Sequence, residues 1–152
     1  MKVYRISRKK RIADLTGMGA KIAGGRWNPA DLPVLYTASN SSLAILEKLV
    51  HVDFDLLPND LFLAEIEIEG EFSQRSISIK SLPNDWNIYP NPDSLKQIGK
   101  SWIMKNKYLV LKVPSAVNVK EYNYLINPAH IEFSKVKIIK VFPFKINERL
   151  TK

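Results

Sequence analysis

The chain contains no cysteine. It can hold no disulfide, and no thiolate is available as a nucleophile or metal ligand. Histidine is nearly as scarce, with only His51 and His130 present. A zinc site would need carboxylates to complete it, so no metal centre is expected. No apolar run approaches the ~18 residues of a membrane span. The N-terminal segment Met1–Arg11 lacks the apolar core of a secretory signal, so the expected setting is the soluble cytoplasm, away from any membrane. Internal repeats, low-complexity tracts and linker-like stretches are also missing. Glycine is limited to six residues, two of them adjacent at Gly24-Gly25.

What is present describes an ordinary single domain spanning residues 1–152. The sequence is 152 residues long and 45% hydrophobic. Folding a chain of that size buries roughly 68–70% of the unfolded surface, which suffices without a staple. The net charge is +8. Nucleic acid, an anionic small substrate and an acidic protein partner are the three classes that such a charge suits. The basic run Arg8–Arg11 reads as solvated surface, and the lysines are scattered along the chain. No helix-turn-helix, zinc-finger or RNA-binding aromatic motif accompanies them, so direct nucleic-acid binding is not expected.

Strand-like runs fall at Val3–Ile6, Val34–Thr37, Leu61–Ile68, Ser76–Ile79, Tyr108–Val113, Tyr122–Ile126 and Val136–Phe142. Ala64–Glu69 alternates strictly, the period of a strand with one buried face. Most of these runs are joined by loops and not by regular helices. That favours an α+β domain with a mixed, mostly antiparallel sheet and flanking helices over a doubly wound βαβ fold. One helix is expected over Ser41–Val52, capped by Ser39 or Asn40. Leu43, Leu46 and Val50 form its apolar stripe, and Glu47 lies at the stripe's edge. A second is expected over Leu95–Asn106, with Ser94 and Gln97 as a capping box. Gly99 within it costs about 1 kcal/mol relative to alanine. Pro83–Asp93, around Trp86 and Tyr89, reads as a long ordered loop.

The chemistry concentrates in Gly24-Gly25-Arg26-Trp27-Asn28, followed by Tyr36 and Glu47. Paired glycines let a backbone approach a ligand closely, and the arginine is a planar, permanent cation that suits phosphate. The segment leads into Pro29 and a short turn, so it is neither a P-loop nor a dinucleotide-binding glycine motif. Spacing alone also accommodates Arg26 packed on Trp27, and it favours Glu47 as a solvated or paired helix-edge carboxylate and Tyr36 as a core strand residue. Ser115, in Val113-Pro114-Ser115-Ala116, lacks a nucleophile elbow and a base. Asn127-Pro128 is first a turn, and both histidines read as structural.

Taken in order, these segments resemble the RES-domain family, named for an arginine, a glutamate and a serine. The likeness runs from Tyr4-Arg5-Ile6 through Gly24–Pro29, Val34–Ala38, Leu43–Glu47 with His51, Leu82–Trp86 and Gly99–Trp102. It ends in Val113–Ala116 and Asn123–His130. The resemblance implies a fold like that of ADP-ribosyltransferase toxins, and a bacterial toxin that depletes NAD by hydrolysis or phosphorolysis. It also implies a partner antitoxin of Xre-like helix-turn-helix type covering the active site. By that resemblance Arg26, Tyr36, Glu47 and Ser115 are the active-site residues, with Arg5 and Asn127 as further lining groups. NAD is then a substrate, inorganic phosphate a possible co-substrate, and no cofactor is required. Two other functions remain open: a mono-ADP-ribosyltransferase acting on a protein, and, from the charge alone, a basic nucleic-acid-binding module.

Overall fold

Seven strands form one sheet in the order β4-β5-β6-β2-β1-β3-β7 in the computed structural model, which describes residues 1–151. They are β1 (Lys2–Arg8), β2 (Leu35–Ala38), β3 (Leu61–Ile68), β4 (Gln74–Ser76), β5 (Val110–Pro114), β6 (Tyr122–Ile126) and β7 (Val136–Pro143). Only β4 and β5 run parallel; every other neighbouring pair is antiparallel. Three α-helices accompany the sheet: α1 (Met18–Ala23), α2 (Ser41–Leu49) and α3 (Asp93–Lys105). The mixed α+β architecture is therefore the one the sequence pattern implies.

Directly opposed residues of antiparallel strands share a face of the sheet. The registers Tyr4↔Ala38, Tyr36↔Leu125, Ala38↔Asn123, Leu111↔Leu125 and Val113↔Asn123 put these side chains on one side. Helix α2 covers part of that face, burying Leu43 and Ala44 beside Ala38, Tyr4 and Ile6. Elsewhere on that face Trp27, Trp86, Leu95 and Trp102 pack with Leu111, Val113 and Leu125. The opposite face carries Val3, Leu35, Ala64 and Ile126, which pack with Ile12 and Val136.

Several expectations shift in detail. Asn40 caps α2, its side chain accepting from the Leu43 N–H at 2.8 Å, but the helix closes at Leu49 instead of Val52. Its buried stripe is also rotated: Leu43 and Ala44 face the sheet, while Leu46 and Val50 are 40% and 57% exposed. Helix α3 begins one turn's fraction earlier, at Asp93 after Pro92, with no side-chain cap, so the Ser94–Gln97 box does not form. Gln97 donates instead to Asp93 at 3.3 Å. The strand expected at Ser76–Ile79 is displaced to Gln74–Ser76, and Ile79–Ser81 is a 3-10 turn. Helix α1 carries no buried residue and so leaves no apolar periodicity to read.

Candidate active site

Strand β1 pairs along its whole length with β3, yet meets β2 only at Tyr4↔Ala38. The sheet therefore splits between β1 and β2. Tyr4–Ser7 of β1, and Leu35–Ala38 of β2 with Val34 before it, line a cleft of about 730 Å³. That volume lies within the range of small-molecule and cofactor sites. Helix α2, the Gly24–Trp27 loop and Tyr89 and Asn91 of the long loop complete its walls.

The arginine loop is built from the inside out. Asn28 is fully buried, and its amide donates to the carbonyls of Ala20, Pro29 and Leu32 at 2.9–3.0 Å. Tyr36 donates its hydroxyl proton to Asn28 Oδ1 at 2.6 Å and accepts from the Trp27 N–H at 3.1 Å. Gly25 sits so close that a Cβ there would stand 2.7 Å from the Tyr36 oxygen. Gly99 solves a similar problem from outside. A Cβ on it would fall 1.5 Å from the Trp27 carbonyl oxygen, so only glycine lets α3 seat against the loop. The helix-weakening glycine of the sequence is thus a packing requirement.

Arg26 leaves this frame half-buried. Its Nη1 donates to the carbonyls of Trp86 and Ile88 at 2.9 and 3.1 Å, and its own carbonyl accepts from Asn91 at 3.4 Å. The long loop expected at Pro83–Asp93 is therefore fastened to the arginine. Burial lowers the guanidinium pKa, while Glu47 and then Tyr36 act in the opposite sense. Arg26 and Glu47 thus feel one another's field within one cleft. Burial also pushes the Tyr36 phenol well above its ordinary value, so it stays neutral; its hydroxyl is committed to the loop and its ring remains as cleft wall.

Glu47 projects from α2 on the same stripe as Leu43 and Ala44. Its Oε1 accepts from Ser115 Oγ at 2.8 Å and from Asn123 Nδ2 at 2.6 Å. Oε2 receives no hydrogen bond among the described residues and is the oxygen left for a ligand. Two donors on one oxygen fix the orientation of the carboxylate.

Ser115 lies behind the cleft wall. It is 0% exposed, and its oxygen also accepts from the N–H groups of Val117 and Asn118 at 3.1 Å. The hydroxyl faces Glu47 and a turn, not the cleft, so it positions the carboxylate. Arg5 does line the cleft, with Nη1 anchored on the carbonyls of Arg11, Ile12 and Asp14 at 2.9–3.0 Å. Asn127 is placed outside the residues that line the cleft. It lies past the far end of β6, 1% exposed, donating to Asn106 at 2.9 Å and accepting from the Ala129 N–H at 3.0 Å. Its amide braces a turn, and it does not line this cleft. His130 is structural as expected, accepting from the Glu132 N–H, whereas His51 is exposed on the cleft rim. Asn123 is the cleft residue in contact with Glu47 that sequence reasoning missed. Its alternation with Leu125 along β6 announces its face, but nothing local announces Glu47 opposite.

No group of His, Asp or Glu suited to a metal ion occurs among the described residues. No helix among them is long and apolar enough to cross a membrane.

Comparison with known proteins adds the family. The model of the RES domain matches residues 2–147. Toxin Res of Photorhabdus laumondii is 38% identical over 154 residues, covering 100% of this chain and 98% of that protein. The Prs ADP-ribosylating toxin of a Sphingobium species is 37% identical over 139 residues, covering 90% and 86% respectively. Among solved structures, a chain of the M. tuberculosis MbcT–MbcA toxin–antitoxin complex aligns with a TM-score of 0.78 at 18% identity. The alignment covers 95% of this chain and 84% of that one, and at such identity the likeness concerns the fold.

Proposed function

This chain belongs to the RES-domain family, and we propose that it is a toxin of a bacterial toxin–antitoxin pair that consumes NAD by cleaving the nicotinamide–ribose bond. The observation that carries the reading is the pairing of Arg26 with a Glu47 carboxylate clamped on one oxygen, inside a cleft of dinucleotide size. In this reading the nicotinamide–ribose C–N bond breaks and its electron pair returns to the pyridinium ring. The ring leaves neutral, so no general acid is needed, unlike ordinary glycoside cleavage with its two carboxylates. Positive charge then develops on the ribose, and Glu47 Oε2 stabilises it or holds the ribose hydroxyls. Arg26 takes the pyrophosphate through its remaining N–H groups, and the Tyr36 ring borders the nicotinamide. Water as acceptor gives ADP-ribose and releases a proton; inorganic phosphate gives the ribose 1-phosphate ester. NAD is substrate throughout, and no cofactor enters.

The test is incubation with NAD, with and without inorganic phosphate, followed by mass analysis. Free nicotinamide with ADP-ribose or its phosphate ester is expected, and Glu47→Gln should abolish it. Unchanged NAD, or full turnover by Glu47→Gln, would refute the assignment. The name of the Sphingobium relative supports a second reading, ADP-ribosylation of a protein target. Covalent ADP-ribose on a target, with little free product, would favour it. A cytoplasmic partner antitoxin of Xre-like type, covering the cleft, completes the proposal. The structural neighbour, solved in complex as a toxin with its antitoxin, supports such a partner.

A further inference from the structure

Lys48, the residue after Glu47, lines the same cleft and is partly buried. Among the described residues its ammonium makes no ion pair and no hydrogen bond. Burial pushes its pKa down, and the like charges of Arg5 and then Arg8 act in the same sense. Arg11 and His51 line the cleft too. Two acids line the cleft as well: Glu47, whose Oε1 is held by Ser115 and Asn123, and Asp14, whose field reaches Arg5 and whose Oδ1 accepts from the Thr16 N–H at 2.8 Å and from the Thr16 hydroxyl. Arg5 is pinned through Nη1 alone, which leaves its other N–H groups to the cleft.

Like charges gathered in a half-desolvated wall cost free energy unless an anion sits among them. This pole is also built on other elements than Arg26: it belongs to β1 and α2, whereas Arg26 is tied to the long loop. The fields that Arg26 feels most are those of Glu47 and Tyr36.

We propose that Lys48 and Arg5 form a second anion subsite of the cleft, one that takes a tetrahedral phosphate group, separate from the pole at Arg26. An ammonium is a point charge that suits a phosphate oxygen at any approach, and the Arg5 guanidinium lining the same cleft supplies directed N–H bonds. The phosphate group has two possible sources within the NAD reading, on which the choice of probes rests: free orthophosphate, or a phosphate of the dinucleotide itself.

The experiment measures binding of orthophosphate and of ADP-ribose, separately and at constant ionic strength, to the intact protein. Calorimetry compares the wild type with Lys48→Met and Lys48→Arg. The expected result is that Lys48→Met weakens orthophosphate binding at least fivefold, that Lys48→Arg restores most of it, and that ADP-ribose binding stays within twofold. Weakened ADP-ribose binding with no orthophosphate binding also supports the subsite and assigns it to the dinucleotide. Binding of both probes unchanged in Lys48→Met overturns the proposal, as does failure of Lys48→Arg to restore binding in a variant with wild-type circular dichroism. Orthophosphate binding that depends on Lys48, together with no affinity for ADP-ribose, would sink the NAD reading and leave the subsite standing.

Discussion

Replacing Asn123 tests whether the clamp on Glu47 is what makes that carboxylate useful. The amide donates to Glu47 Oε1 at 2.6 Å. A hydrogen bond to a charged group contributes about 1.5–3 kcal/mol. Asn123→Ala leaves the Ser115 bond in place and lets cleft water reach the exposed oxygen, so folding stability should change little. Turnover of NAD should fall about 10- to 150-fold, since each 1.36 kcal/mol is a factor of ten in rate. Asn123→Asp is harsher. Two carboxylates at that separation repel by about 6 kcal/mol at an effective dielectric near 20, so the pair takes up one proton and titrates as a unit. Below the raised pKa the pair carries a single charge and one internal donor, much as in the native site. Above it two charges face each other and the geometry is lost. The pH profile of this variant should therefore decline as pH rises, with its optimum moved to the acid side. Nicotinamide release, followed by chromatography from pH 5 to 9, reads both effects. If both variants stay within twofold of wild type across that range, orientation of Glu47 by Asn123 has no part in the reaction.

Gly99→Ala should destabilise the fold by more than the ~1 kcal/mol that alanine gains in a helix, because its Cβ would collide with the Trp27 carbonyl; a raised denaturation midpoint would refute that. Tyr36→Phe strands the Trp27 N–H and Asn28 Oδ1, and urea unfolding should show a loss of about 1–3 kcal/mol. The Tyr36 phenol pKa is raised by burial, so its contribution to stability is full below the ordinary tyrosine value of about 10 and lost as pH climbs above it; in Tyr36→Phe that part of the alkaline decline should be missing from unfolding curves. Glu132 is opposite in sign. Bonds from the Ser73 hydroxyl, Lys135 and the Ser73 N–H pull its carboxyl down to about 2, so its contribution is full above the ordinary carboxylate range and fades as pH falls toward that value; Glu132→Gln should flatten the acid limb of the stability profile.

How far the sequence discloses this molecule depends on whether a signal is local. Leu61–Ile68 alternates because β3 lies between two strands with distinct faces, and its limits are those read from the pattern. Tyr122–Ile126 matches β6 in the same way. Asn40 caps its helix through a bond three residues away, which a short-range reading captures. Helix α1 could not be read, because it is a single six-residue segment between Gly17 and Gly24 with nothing buried. Helix α2 was read with its face turned, since Leu46 and Val50 mimic a core stripe while remaining exposed.

The site obeys the same rule at longer range. Arg26, Tyr36 and Glu47 are legible because they recur in one ordered family pattern, but their partners are decided by strand register. Asn123 reaches Glu47 because β6 pairs with β2 at Ala38, under the helix that carries the carboxylate. Ser115 reaches it because β5 ends beside that point, where Pro114 opposes Tyr122. Asn127, only four residues further along the chain, lies just past the other end of β6 and does not line the cleft. A strand advances about 3.3 Å per residue, so those four steps carry the chain about 13 Å. That distance separates a residue that aims a carboxylate from one that braces a turn, and no property of asparagine distinguishes the two in sequence.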